Sequence, residues 1–133
     1  MFLFQPSNPG TLVLVSNSFT LANNQVAAAS VTNLIFNKTS LSYVIVAIAG
    51  RRRTDSGEYV GGGFLSARYA KDANTWSIDY DLSGDRESNL WLGLTFSITS
   101  AGQVQYTSSN IAGANYAGYL RFDILKSFVS FAT

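Results

Sequence analysis

From Leu90 to Ile98 the chain alternates: Leu90, Leu92, Leu94, Phe96 and Ile98 hold one phase, while Trp91, Gly93, Thr95 and Ser97 hold the other. A helix repeats its faces about every 3.6 residues and would scatter these side chains, whereas a strand sends every second one to the same side. The same pattern sets Trp76, Ile78, Tyr80 and Leu82 against Ser77, Asp79 and Asp81, and Leu120, Phe122 and Ile124 against Arg121 and Asp123. In each case the acidic side chains fall in the solvent phase. Ser40 to Ala49 differs, because Val44, Ile45, Val46, Ala47 and Ile48 form a continuous apolar run suited to a central strand covered on both faces.

Shorter β-rich stretches at Thr11–Val15, Ser18–Leu21, Ser30–Phe36, Tyr59–Tyr69 and Gln103–Ser108 bring the expected total to about nine strands. Turn chemistry separates them at Thr54-Asp55-Ser56-Gly57, Ser83-Gly84-Asp85 and Ser100-Ala101-Gly102, the last of which reads as a hairpin. The Ala-rich piece Val26–Ser30 is too short and too little amphipathic for more than one helical turn, and reads as extended or as that single turn. The expected fold is all-β, a single antiparallel β-sandwich or jelly-roll-like barrel forming one domain over residues 1–133. Its expected core includes Val44, Val46, Ile48, Trp76, Ile78, Leu92, Leu94, Phe96, Ile98, Tyr106, Leu120 and Phe122. No linker or repeat divides the chain.

Composition narrows the chemistry. The sequence has no cysteine and no histidine, which removes disulfides, thiolate chemistry, the commonest metal ligand and the commonest general base. A Ser-Lys pair would have to use Lys38, Lys71 or Lys126, none of which stands in a recognisable motif. Charged residues are only 13% of the chain and the net charge is +1, which offers no footprint for a phosphate backbone, so nucleic acid is not an expected partner. Met1-Phe2-Leu3-Phe4-Gln5-Pro6 lacks a basic start and is too short an apolar run for a signal peptide or a membrane span, so synthesis in the cytoplasm and no membrane partner are expected.

Asp79, Asp81, Ser83, Asp85 and Glu87, with Gly84, imitate the first half of a calcium loop, but the twelfth position is Leu90 where a bidentate Glu is needed. These residues read as a solvated strand end and a polar turn. Gly61-Gly62-Gly63 lacks the Lys-Ser/Thr and helix of a phosphate cradle and reads as a bulge or strand bend. No catalytic, cofactor-binding or metal-ligating residues are assigned. The candidate interaction surface is Arg51, Arg52 and Arg53, read as projecting together from one end of the domain toward an anionic glycan or acidic protein, with Trp91, Tyr116 and Tyr119 as exposed-phase aromatics. Trp76, Tyr80 and Tyr106 share the phase of buried neighbours and are assigned to the core.

The stretch Leu21-Ala22-Asn23-Asn24-Gln25, then Val31-Thr32-Asn33-Leu34-Ile35-Phe36, then Phe96 through Ser108 and Gly118-Tyr119-Leu120-Arg121-Phe122, resembles small β-domains of tailed-bacteriophage virion proteins. Such domains occur in tail fibres and in capsid decoration proteins, usually as trimers. The resemblance covers about three quarters of the chain and rests on strand and turn patterns, so it implies a structural role at a viral surface and carries over no catalytic residue. It implies a non-enzymatic capsid decoration, cement or small tail protein, assembled in the host cytoplasm and located in the virion. The alternatives are a receptor-binding module for a host surface glycan or protein, and, least favoured, a glycan-processing enzyme using the Asp79 to Glu87 carboxylates.

Phe2, Leu3 and Phe4 at one end, and Phe128, Val129 and Phe131 at the other, are apolar where chain ends are usually polar. They are the expected subunit interface, within segments of about residues 1–10 and 126–133. The homotrimer itself is the resemblance's implication, since apolar ends alone do not fix a stoichiometry.

Overall fold

A computed structural model describes residues 17–84 and 93–129. Among them are eight strands: β1 (Asn17–Thr20), β2 (Ala29–Ile35), β3 (Leu41–Thr54), β4 (Gly57–Ala70), β5 (Thr75–Gly84), β6 (Leu94–Ile98), β7 (Gln103–Ser108) and β8 (Ala117–Val129). They form a β-sandwich of a five-stranded sheet, in the order β1-β8-β3-β4-β5, and a three-stranded sheet, in the order β2-β7-β6. Each neighbouring pair is antiparallel. β1 pairs with β8 in one sheet and β2 with β7 in the other, while β3, β4 and β5 run as a meander. The expected Thr11–Val15 strand and Leu90 to Leu92 lie outside the described residues.

The core is the two inner faces meeting. Val44, Val46, Ile48, Leu65, Ala67, Trp76, Leu120 and Phe122 come from the large sheet, and Val31, Leu34, Leu94, Phe96, Val104 and Tyr106 from the small one. Ile78 and Ile98 pack against this cluster partly buried. Of the expected core, only Leu92 lies outside the described residues. Val26 to Ala28 carries no helix, and β2 starts at Ala29. The β3–β4 turn falls at Asp55-Ser56, and Gly102 N–H donates to the Thr99 carbonyl in the β6–β7 hairpin.

Three places break strict alternation, each for a local reason. In β2 the pairing with β7 shifts between Ser30 and Ile35, and Asn33 takes a left-handed φ of 73°, so Val31 and Leu34, three positions apart, both face inward. Gln103 bridges the irregularity, its amide donating to the carbonyls of Val31, Leu34 and Val104. In β8 a bulge places Lys126 opposite Ile45 but Ile124 opposite Val46. Ile124 thus keeps an inward register, yet it is 52% exposed, and among the described residues no strand flanks the far side of Asp123–Val129. Tyr80, expected in the core, is exposed on the outermost strand β5, although its ring makes an edge-on contact with Phe96.

The glycine triplet is not a bulge. Pairing runs without a shift from β3 through Gly61, Gly62 and Gly63 of β4 to β5. The glycines are there because the backbones approach closely: a Cβ on Gly63 would stand 2.2 Å from the Asp81 carbonyl oxygen, and one on Gly62 2.9 Å from that of Ile48. Gly63→Ala is expected to cost about 1–3 kcal/mol as overpacking. Gly57→Ala in the same strand, where nothing lies within 4 Å of the added carbon, is expected to change chemical-denaturation stability far less.

Candidate interaction surface

Period two runs unbroken from Val44 through the arginine run, because β3 extends to Thr54 instead of ending near Ala49. The inward phase continues as Gly50, Arg52 and Thr54, so the middle arginine turns into the domain while Arg51 and Arg53 face solvent. Arg52 is 0% exposed and is removed from the expected surface. Its guanidinium suits the site because it is weakly hydrated and offers a fixed fork of donors. Nε donates to the Tyr116 hydroxyl at 3.1 Å, and Nη2 donates to Asn23 Oδ1 at 2.9 Å and to the Ser109 carbonyl at 2.6 Å. The Tyr116 ring lies 5.6 Å from its Cζ.

Arg52 thereby clasps two connections, the one from β1 to β2 and the long one from β7 to β8. Asn23 also accepts from Ile111 N–H, and the Tyr116 hydroxyl donates to the Leu21 carbonyl. The second connection is fixed to the β3–β4 turn as well: Thr54 donates to the Ala112 carbonyl, Asp55 N–H to the Ala114 carbonyl, and Asn115 to the Asp55 carboxylate. Gly113 fits against Thr54 with φ 119°. These bonds tie both connections to the end of β3, although neither connection has regular secondary structure. Tyr116, expected to be exposed, is half-buried as the lid on Arg52, and Trp91 lies outside the described residues.

The remaining expected residues come together on the outer face of the five-stranded sheet. Arg51 pairs across strands with Tyr119, and Arg53 with Ala117. Arg51 binds Glu58 at 2.6 Å, whereas Arg53 is in no ion pair among the described residues. Arg121, which the sequence reading did not single out, points out from the same face with its Cζ 5.8 Å from the Tyr119 ring.

Farther along this face the other phase of β3 emerges. Tyr43, Ile45 and Ala47 are half-buried and Ala49 is exposed, so the described residues cover β3 on one face only, against the expectation of two. Across the strands, Tyr43 neighbours Phe128 with rings 5.8 Å apart, and Ala47 neighbours Phe64, which is 55% exposed. Arg68 pairs with Asp79 at one margin. The outer face of the small sheet is different in kind, carrying Ser30, Thr95, Ser97, Gln105 and Thr107, with a hydrogen bond between Thr95 and Thr107. One sandwich therefore has a hydroxyl-rich face that water satisfies and an opposite face with an apolar centre and a charged rim.

Asp79, Asp81 and Ser83 lie exposed on β5, a strand and not a loop, while Asp85, Glu87 and Leu90 are outside the described residues. Among the described residues no three carboxylates converge to hold a metal. A cavity of about 520 Å³ at the opposite end of the sandwich is lined by residues including Ile35, Phe36 and Lys38. Its polar groups are turned on one another, the Lys38 ammonium and the Tyr69 hydroxyl both donating to Asn74 Oδ1. At the chain ends, Phe128 and Val129 are exposed on β8, while Phe2, Leu3, Phe4 and Phe131 lie outside the described residues. No protein-family model, curated protein or solved structure matches the chain.

Proposed function

We propose that this chain is a non-enzymatic structural protein of a bacteriophage virion, a decoration, cement or small tail protein that attaches to other virion subunits. The observation that carries the reading is the apolar centre of the outer face, formed by Tyr43, Ile45, Ala47, Phe64 and Phe128. A solvated antiparallel face normally alternates to polar residues, as the small sheet does. A continuous apolar strand in mid-sheet suits a second layer supplied by another subunit. The homotrimer is part of the proposal, with Leu125, Phe128 and Val129 of β8, exposed among the described residues, as its contact on the described side.

The test is incorporation. Phe64→Lys places a charge in the centre of the face, and because Phe64 is 55% exposed and its cross-strand partner is Asp81, it is expected to change folding stability by no more than about 1 kcal/mol. The variant should melt like the parent and fail to copurify with assembled particles. A folded variant that still copurifies at the parent's stoichiometry contradicts attachment through this face. Light scattering tests the oligomer, and a monomeric intact protein refutes it.

A further inference from the structure

The outer face contains a row of small residues that the attachment reading does not use. Reading across the strands, Ser18 of β1 pairs with Arg121 of β8, which pairs with Ala49 of β3, then Gly62 of β4 and Ser83 of β5. Apart from Arg121, no side chain in this row is larger than a serine's. The rows on either side are bulkier: Thr20, Tyr119, Arg51 and Val60 on one, and Asp123, Ala47, Phe64 and Asp81 on the other. Rows on one face lie about 7 Å apart, two residues along a strand, so the small row forms the floor of a trough running across the sheet.

At its β1–β8 end the trough deepens into a recess of about 200 Å³ lined by Ser18, Phe19, Thr20, Tyr119 and Arg121. The recess offers an aromatic ring, a guanidinium beside that ring and two hydroxyls. Its surroundings are basic. Arg51 stands directly beside Tyr119 but is neutralised by Glu58, Arg53 lies one row beyond, and among the described residues neither Arg53 nor Arg121 is in an ion pair. Asp123 is the acidic residue of the adjoining row on β8, with Lys126 beyond it.

We propose that this recess binds one acidic saccharide unit, with the rest of the glycan leaving along the trough. The sugar ring lies against Tyr119, its carboxylate or phosphate is held by the Arg121 fork, and its hydroxyls exchange hydrogen bonds with Ser18 and Thr20. A saccharide is favoured over a peptide or a nucleic acid for two reasons. The size fits one six-membered ring, being below the roughly 300–1,000 Å³ of sites for larger ligands. The lining combines one ring face with hydroxyls and a single unpaired guanidinium, where a polyanion would need many cations.

The proposal is independent of the attachment reading, and the two fail separately. The isolated protein is titrated with galacturonate oligomers, sialyllactose and mannose 6-phosphate, with uncharged galactose oligomers and lactose as neutral counterparts, and with acetate and inorganic phosphate alone. At least one acidic sugar is expected to bind more tightly than every neutral sugar and than either free anion, and the preferred anion separates carboxylate from phosphate recognition. Arg121→Gln is expected to weaken that binding about tenfold or more, since a charge-assisted hydrogen bond accounts for at least that much, and Tyr119→Ala is expected to weaken it by removing the aromatic contact area under the sugar ring. Val26→Asp, exposed on the connection before β2 and away from the trough, is expected to bind sugar as the parent does. Circular dichroism confirms the fold of each variant. Absence of binding by every acidic sugar, equal binding of the neutral ones, or unchanged affinity in both recess variants overturns the proposal.

Discussion

Arg52→Ala is expected to destabilise the domain by about 3 kcal/mol or more, since each buried acceptor left without its donor costs about 1–3 kcal/mol and the cavity adds to that. The side chain is fully buried and its fork reaches three acceptors on two different connections. Truncation leaves the Ser109 carbonyl without that donor, uncovers one side of the Tyr116 ring and opens a cavity. Arg52→Lys is expected to recover little, because an ammonium at the end of a flexible stem cannot reproduce the planar fork. Arg53→Ala, one residue along and exposed, is expected to stay within about 0.5 kcal/mol. Urea unfolding of the three variants gives the comparison. Similar losses for Arg52→Ala and Arg53→Ala would mean that the clasp does not exist.

Phe96→Ala is expected to cost a comparable amount, about 3–5 kcal/mol, as a large-to-small truncation in the core. Phe96 stands on β6 facing the large sheet and packs edge-on against Tyr80 across the sandwich, at a centroid separation of 5.6 Å. Thr95 points the opposite way and shares a hydrogen bond with Thr107 on the solvated face. Thr95→Ala should therefore cost about 1 kcal/mol or less, as an exposed neutral hydrogen bond. Denaturant midpoints of the pair report the phase of β6 directly, and equal effects would reverse it.

Much of the sandwich was legible because period two survives wherever one face is buried. Leu94 and Phe96, Trp76 and Ile78, and Leu120 and Phe122 follow the alternation inward. What escaped depends on information the pattern does not contain. The Ile124 side chain keeps its phase yet is exposed, because cover depends on what packs over that end of the sheet and not on the pattern of β8 itself. Asn33 conceals an irregularity whose mark is a left-handed residue, a conformation that asparagine tolerates without advertising it. The arginine run was misread because three adjacent charges look like one solvated loop. Extending the phase of Val44, Val46 and Ile48 by four more residues would have sent Arg52 inward.

For the candidate surface, the continuous run from Val44 to Ile48 correctly singled out a mid-sheet strand, third of the five. It could not say that the second layer over that strand is missing from the described residues. Nor could it gather Phe64 and Phe128 beside Ala47 and Tyr43, since that neighbourhood is made by cross-strand register. Arg121 and Ser18 meet by register too, more than a hundred positions apart in sequence. Tyr119 was reached from its phase alone.

The attachment claim is tested most directly by hydroxyl-radical footprinting of the protein free and bound to particles. Tyr43 and Phe64, on the apolar centre of the outer face, should be oxidised in the free protein and protected on the particle. Val26 and Ile35, exposed and away from the five-stranded sheet, should be oxidised equally in both states. Protection of Ile35 with Phe64 still fully reactive would contradict the account, because the particle would then be contacting a different face.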